Sequence, residues 1–273
     1  MAYLNDTEAE IPAVANAPVY STLTQCPATD VIGAVVSAKG RLALFHPLIS
    51  GCIAATAERT VVGPKTCVQF SNDGHSIAVG DDHRLVVLDR RYLFRPAAVT
   101  QRENKHLFSA YSPLTRCKGV EFSADGDHML VTSSNGEVVL YDWKREEVQV
   151  NYFHGDAKRH FVGTGDAIGA QFALPGHADS PILQPTSFMN GGRHLLVYEG
   201  GVGSSAPAAA TVDAPRQGRL LYELQSKDSD VSVALAVNPR FQVAATAARS
   251  ITWWAFHERS ADAPSKEVLG ASS

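Results

Sequence analysis

The sequence Val68-Gln-Phe-Ser-Asn-Asp-Gly74, followed by Ile77-Ala-Val-Gly80 and Arg84-Leu-Val-Val-Leu-Asp89, recurs farther along the chain. The second copy reads Val120-Glu-Phe-Ser-Ala-Asp-Gly126, then Met129-Leu-Val-Thr132, then Glu137-Val-Val-Leu-Tyr-Asp142. Each copy holds three short apolar runs that are separated by polar turns. Repeats of this length with several strands each are typical of the blades of a β-propeller, a rigid disc that presents loops to partners.

Tight turns separate the strands within each copy. Asp73-Gly74 and Asp125-Gly126 are each predicted to join two strands as a hairpin, because glycine readily takes the positive φ that such turns require. The continuous apolar runs Val86–Leu88 and Val138–Leu140 are typical of strands buried between neighbouring sheets. No sustained helical periodicity occurs, which disfavours a helical bundle and a doubly wound α/β fold. We therefore expect an all-β propeller.

The pattern divides the chain into about five blades. Residues 1–17 are predicted to be a flexible arm or a closing strand, residues 18–258 the propeller, and residues 259–273 a disordered tail. The predicted blades span 18–60, 61–105, 110–153, 180–225 and 230–257. A long insertion rich in Gly, His, Asp and Pro occupies residues 154–186.

The composition excludes several classes of function. The chain has 273 residues, is 45% hydrophobic and 19% charged, and carries a formal net charge of -4. Tight sequence-independent binding of nucleic acid needs a basic surface and is therefore not expected. No apolar run is long enough to predict a membrane-spanning helix. The N-terminal segment lacks the basic and apolar regions of a signal peptide, so we expect folding in the cytosol or the nucleus.

The four cysteines form no Cys-x-x-Cys pair. Cys26, Cys52, Cys67 and Cys117 are far apart in sequence, and no cluster of His and Cys has the spacing of zinc ligands. We expect them to be small buried side chains in a reducing compartment. No metal site is predicted.

No motif predicts catalysis or a cofactor. Gly163-Thr-Gly-Asp-Ala-Ile-Gly169 shares glycines with phosphate-binding loops, but no Lys-Ser or Lys-Thr follows it. No Gly-x-Ser-x-Gly elbow is present. A rival hypothesis is a propeller enzyme with a small-molecule site in its central channel, which requires several inward-facing carboxylates or histidines. On the predicted innermost strands only Glu121 is charged, which argues against an enzyme.

The units resemble WD repeats. Val120–Gly126 followed by Glu137–Trp143 is similar to the usual blade pattern, with Tyr141-Asp142 near the position of the eponymous Trp-Asp pair. The run Cys117–Gly126 and the ending Asn238–Phe256 are similar to one family in particular, the WD repeat-containing protein 82 family. The resemblance runs in order from about residue 20 to residue 257.

The number of blades departs from that family. Its members form seven blades, and here the units corresponding to the first two are missing on the N-terminal side. The chain can close as a smaller ring, be an incomplete ring that a partner completes, or represent a truncated gene model. In the usual closure, residues 1–12 would pair beside Ile251–Phe256. An unclosed ring would expose sheet edges and apolar faces, which favours aggregation or partner capture.

The resemblance implies a non-catalytic scaffold in a nuclear complex that controls transcription termination or chromatin. Its implied partners are a peptide from a phosphatase-targeting scaffold of the PNUTS type, which is slightly favoured, or from a subunit of a COMPASS-type histone methyltransferase. The phosphorylated tail of RNA polymerase II is a further candidate. No cofactor, membrane or direct sequence-specific contact with nucleic acid is implied. The alternative is a generic WD-repeat adaptor outside the nucleus.

Analogy with propellers places the partner-binding site on one rim. Loops between second and third strands, and loops that enter each first strand, lie on the same face and here include several cations suited to acidic or phosphorylated peptides. The candidate residues are Lys39, Lys65, Asp81, Asp82, His83, Arg116, Asn135 and Arg249. Trp253 and Trp254 are neighbours on a predicted strand, so their rings point to opposite sides. Either both rings are buried between blades, or one belongs to the core and the other is a surface anchor, for which Trp254 is the candidate.

Overall fold

The computed structural model describes residues 20–29, 33–37, 42–46, 48, 52–56, 67–81, 84–92, 101–103, 107, 116–134, 136–152, 169–173, 180–187, 193–201, 215–226, 234–238, 240, 243–247 and 250–255. The predicted arm or closing strand at 1–17 and the predicted tail at 259–273 lie outside the described residues. Strands within the described ranges form five sheets, and one 3-10 turn spans Arg90–Tyr92. No helix in these ranges has the length and apolar character needed to cross a membrane.

The strands follow one another through the sheets in chain order, with one exception. Sheet 1 comprises β1 (Tyr20–Gln25), β2 (Gly33–Ser37), β3 (Leu42–Phe45) and β4 (Cys52–Ala55). Sheet 2 comprises β5 (Cys67–Phe70), β6 (Ser76–Gly80), β7 (Arg84–Asp89) and β8 (Gln101–Glu103). Sheet 3 comprises β9 (Cys117–Phe122), β10 (His128–Ser133), β11 (Val138–Asp142) and β12 (Glu147–Tyr152). Sheet 4 comprises β13 (Gln171–Phe172), β14 (Ile182–Ser187), β15 (Arg193–Tyr198) and β17 (Leu220–Ser226). Sheet 5 comprises β18 (Ala234–Asn238), β19 (Val243–Ala247) and β20 (Ile251–Ala255). The exception is β16 (Arg216–Gln217), which lies between β15 and β17 in sequence but joins sheet 3 beside β12.

The two sequence copies that define the repeat fold in the same way. Ser71 Oγ donates to Asp73 Oδ1 at 2.5 Å, and the His75 N–H donates to the same oxygen at 2.9 Å. The equivalent groups make the same two bonds in sheet 3, where Ser123 and the Asp127 N–H donate to Asp125 Oδ1. The glycine after each aspartate has a positive φ, 69° in sheet 2 and 73° in sheet 3. The Asp-Gly hairpins predicted from the sequence are therefore observed.

Sheet 4 begins earlier than the sequence predicts. Gln171–Phe172 and all of Ile182–Ser187 except its last residue fall inside the predicted insertion at 154–186, yet they form the first two strands of this sheet. The predicted blade starting at residue 180 therefore omits its innermost strand. Pro181 and Pro185 hide the pattern, because proline normally argues against an interior strand. Within the predicted insertion, residues 171–172 and the residues from 182 onward therefore form strands of sheet 4.

An additional strand ties sheet 3 to sheet 4. β16 pairs in parallel with β12, and the Gly218 N–H donates to the Asn151 carbonyl at 2.7 Å. A Cβ on Gly218 would lie 2.0 Å from the ring of Tyr152, so glycine is required at this close approach. The Glu199 N–H also donates to the carbonyl of Arg219, which lies between β16 and β17, at 2.9 Å.

Apolar side chains fill the space between consecutive sheets. Alternate residues of each strand face opposite neighbours, as the pleat of a strand requires. Leu44 of sheet 1 packs with Val86 and Leu88 of sheet 2, whereas Val87 packs with Val139 of sheet 3. Sheets 3 and 4 bury Leu140, Tyr152, Phe172 and Tyr198 between them, and sheets 4 and 5 bury Leu195, Leu235 and Trp254. Among the described residues, no buried cluster joins sheet 5 to sheet 1.

The first strands of the sheets lie next to one another. β1 contacts β5, β5 contacts β9, and β13 contacts β18. Between sheets 3 and 4 the backbones come so close that a Cβ on Gly119 would lie 2.4 Å from the Cα of Gly169. This arrangement, with first strands inside and successive sheets stacked face to face, is that of propeller blades around an axis.

Candidate functional site

The outward side of sheet 5 carries two exposed large apolar side chains on one strand. The side chain of Trp253 is 63% exposed and that of Ile251 is 58% exposed. The backbone register places Ala236 and Ala245 in one row with Trp253, and Ala234 and Ala247 in one row with Ile251. We call these six residues the sheet 5 outer face.

The opposite side of sheet 5 is buried against sheet 4. Trp254 is 7% exposed and packs with Leu235 and Ala244. Its indole Nε1–H donates to Thr246 Oγ1 at 3.0 Å, so the polar atom of the buried ring has a partner. The prediction that the two rings point to opposite sides is confirmed.

The assignment of Trp254 as the surface anchor is wrong, because sheet 4 covers this ring and Thr246 occupies its N–H. The exposed ring is Trp253. Alternation along a strand shows that one of two adjacent rings faces out, but the sequence carries no signal for which one.

Most of the predicted rim lies outside the described residues. This holds for Lys39, Lys65, Asp82, His83, Asn135 and Arg249, so their place in a partner-binding rim stays a prediction.

Asp81 and Arg116 are described, and both lie at the junction of sheets 2 and 3. Asp81 is buried, and its carboxylate accepts from the backbone N–H of Arg84 at 2.8 Å and from Arg84 Nε at 3.3 Å. Its carbonyl also accepts from the Cys117 N–H at 3.4 Å. The backbone of Arg116 pairs with Ser134, in both directions, at 3.1 Å and 2.7 Å. Asp81 therefore holds its turn and the next sheet together, which corrects its assignment to an accessible binding rim.

A row of side-chain acceptors links the innermost strands, a feature that was not predicted from the sequence. Gln69 Oε1 accepts from the backbone N–H of Phe122 at 2.9 Å. Glu121, at the equivalent position one sheet further, accepts from the N–H of Phe172 at 2.9 Å. The signal was present in the repeated triplets Val-Gln-Phe and Val-Glu-Phe, whose middle residue bonds to the next blade.

The environment of Glu121 is unfavourable for a charge. Burial raises the pKa of its carboxyl group to about 8, and the single backbone hydrogen bond from Phe172 only partly opposes that effect. A raised carboxyl pKa often marks a catalytic acid. Here the group bonds to a neighbouring strand, and the described residues contain no cluster of three metal-ligating side chains. The contact that the Glu121 side chain makes therefore links sheet 3 to sheet 4.

Comparisons with known proteins identify the fold. No family model and no curated protein matches the chain. A chain in the crystal structure of the mitotic checkpoint complex is similar with a TM-score of 0.57 and 13% identity, over 83% of this chain and 61% of that one. The WD40 domain of Toxoplasma gondii coronin is similar with a TM-score of 0.64 and 10% identity, over 89% of this chain and 57% of that one.

These similarities confirm an all-β propeller fold of the WD40 type. At such low identity they concern the fold alone, and they give no support to the WD repeat-containing protein 82 family in particular. The chain spans 61% and 57% of the lengths of these two structures.

Proposed function

We propose that this chain is a non-catalytic scaffold that binds a protein partner through the sheet 5 outer face. The observation that carries the proposal is the exposure of Trp253 and Ile251 on a sheet whose other side is fully packed. In sheets 2 to 4 the described clusters cover both sides with a neighbouring sheet. Among the described residues, no neighbouring sheet covers the sheet 5 outer face.

The chemistry of this face favours a protein partner. Contiguous exposed apolar surface is a feature of interaction sites, and tryptophan is the residue most enriched where binding energy is concentrated. The alanines beside the ring are small, so a partner's side chains can pack against the flat side of the indole. Because the face lies on a pleated sheet, little conformational entropy is lost when it is covered.

The biological setting is a further part of the proposal. The similarity of Cys117–Gly126 and Asn238–Phe256 to a family of nuclear WD subunits supports a role in a complex for transcription termination or chromatin. The partner is then a phosphatase-targeting scaffold of the PNUTS type or a methyltransferase subunit of the COMPASS type. Nuclear localisation is part of the same proposal.

Quantitative affinity purification tests both parts. The tagged chain is compared with Trp253→Ala and with Tyr222→Ala, a matched control that removes an aromatic ring of similar exposure, 57%, from sheet 4. We expect Trp253→Ala to reduce recovery of the main partner at least about tenfold, as for a central anchor residue, and Tyr222→Ala to leave it unchanged. Equal recovery with all three chains would refute binding through this face. A main partner that is neither a phosphatase scaffold nor a methyltransferase subunit would refute the nuclear assignment.

A further inference from the structure

Two cysteines from neighbouring sheets meet at the junction of sheets 2 and 3. Cys67 begins β5 and Cys117 begins β9, and their Sγ atoms lie 3.3 Å apart. Each thiol also lies near a backbone carbonyl, that of Gly80 for Cys67 and that of Gly119 for Cys117. Both are reduced in the structure. The fold therefore brings together two thiols that are far apart in sequence.

Gly80 creates the space in which the two sulfur atoms meet. It pairs with Cys67 across β5 and β6. A Cβ at this position would lie 2.3 Å from Cys117 Sγ and 2.7 Å from Cys67 Sγ, so any larger residue would force the sulfur atoms out of their present places. The juxtaposition is therefore built from three positions, two of which begin the first strands of successive blades.

We propose that Cys67 and Cys117 form a thiol pair that a low-molecular-weight disulfide, such as oxidised glutathione, converts into a disulfide between sheets 2 and 3. A disulfide bond is about 2.05 Å long, so the sulfur atoms need to approach by only about 1.3 Å. Rotation about χ1 of the two side chains can supply a movement of this size without separating the sheets.

The two cysteines differ in accessibility, which assigns the order of events. Cys67 is partly exposed, whereas Cys117 is buried. Cys67 loses its proton and attacks one sulfur of oxidised glutathione, forming a mixed disulfide and releasing one glutathione thiolate. Cys117 then loses its proton and attacks Cys67 Sγ, which releases the second glutathione thiolate. Two protein thiols are oxidised and one molecule of oxidised glutathione is reduced to two of glutathione.

The second step is the slow one. In the reduced chain the hydrogen bond with Cys67 and burial raise the pKa of the Cys117 thiol well above its usual range, and the burial persists after Cys67 has entered the mixed disulfide. Because the thiolate is the nucleophile, the mixed disulfide on Cys67 has time to accumulate before the protein disulfide forms.

The test uses the full chain in its native state, incubated with oxidised glutathione and then quenched in acid. Intact-mass and peptide mass spectrometry locate the modified cysteines. We expect the wild type to lose two free thiols and to give a peptide cross-linked between Cys67 and Cys117, reversed by dithiothreitol. Cys117→Ser should stop at the mixed disulfide and retain one glutathionyl group on Cys67, and Cys67→Ser should protect Cys117. Cys26→Ser, which changes a buried cysteine outside the pair, should behave as wild type.

Thermal unfolding of the reduced variants verifies that each is folded before the reaction. A wild-type chain that remains fully reduced in the folded state, while its urea-unfolded form reacts, would overturn the proposal. So would a cross-link that forms to Cys26 as readily as between the pair. A cross-link that persists in Cys117→Ser would exclude Cys117 as the second thiol.

Discussion

Replacing Glu121 by glutamine should abolish a pH-dependent loss of stability. In the folded chain burial raises the pKa of this carboxyl group from 4.5 to about 8. The folded state therefore holds its proton over a pH range in which the unfolded state releases it. Stability from this group is fully present below pH 4.5 and is lost as the pH rises towards 8.

The magnitude follows from the linkage between proton binding and folding. Each pH unit between the two pKa values costs about 1.4 kcal/mol of stability, so between pH 4.5 and pH 7 the loss is at most about 3.5 kcal/mol. Glutamine at position 121 has no charge to release. Its amide oxygen can still accept from the Phe172 N–H, as Gln69 Oε1 accepts from the Phe122 N–H at the equivalent place.

Urea unfolding at pH 5, 6, 7 and 8 measures the effect. We expect Glu121→Gln to lie within about 1 kcal/mol of wild type at pH 5 and to become progressively more stable than wild type as the pH rises. The mirror variant Gln69→Glu should show the reverse, with a new loss of stability above pH 5. Parallel stability profiles for wild type and Glu121→Gln across this range would refute the reasoning.

Two further pairs of variants test the packing. Trp254→Ala should destabilise the chain by about 3–5 kcal/mol because it empties a buried site, whereas Trp253→Ala should cost less than about 1 kcal/mol; thermal or urea unfolding distinguishes them. Equal losses would contradict the assignment of the two rings. Gly126→Ala should cost about 1–2 kcal/mol because its φ of 73° is unfavourable for alanine. The added Cβ would meet no other atom within 4 Å, so no steric clash adds to this cost. Gly119→Ala should cost more, because its Cβ would press on the backbone of Gly169; the opposite ranking would contradict the close contact of sheets 3 and 4.

The local parts of the fold were predictable from the sequence. The turn Ser71-Asn-Asp73-Gly74 is stabilised by bonds within itself, and its copy at Ser123 makes the same bonds. Because these interactions lie within five residues of chain, the repeat in sequence directly implies the repeat in structure. The continuous apolar runs in β7 and β11 likewise indicated burial on both sides.

The features that the sequence did not reveal depend on contacts between distant segments. Pro185 is buried inside β14, where its place opposite Leu195 of β15 overrides its poor strand propensity. Asp81 carries a charge and sits in a turn, so it was predicted to be accessible, but Arg84 and the next sheet enclose it. The choice between Trp253 and Trp254 depended on which side sheet 4 covers. None of these outcomes is encoded in a short window of sequence.

The parallel strand β16 has a consequence for the order in which the chain can fold during synthesis. The first four strands of sheet 3 leave the ribosome well before Arg216 and Gln217 do, because β13, β14 and β15 are translated in between. The outer strand of sheet 3, β12, therefore stays unpaired on one side until most of the next blade has emerged. The two blades mature together, and a chain that stalls between them is left with an open edge where a strand from another nascent chain can attach.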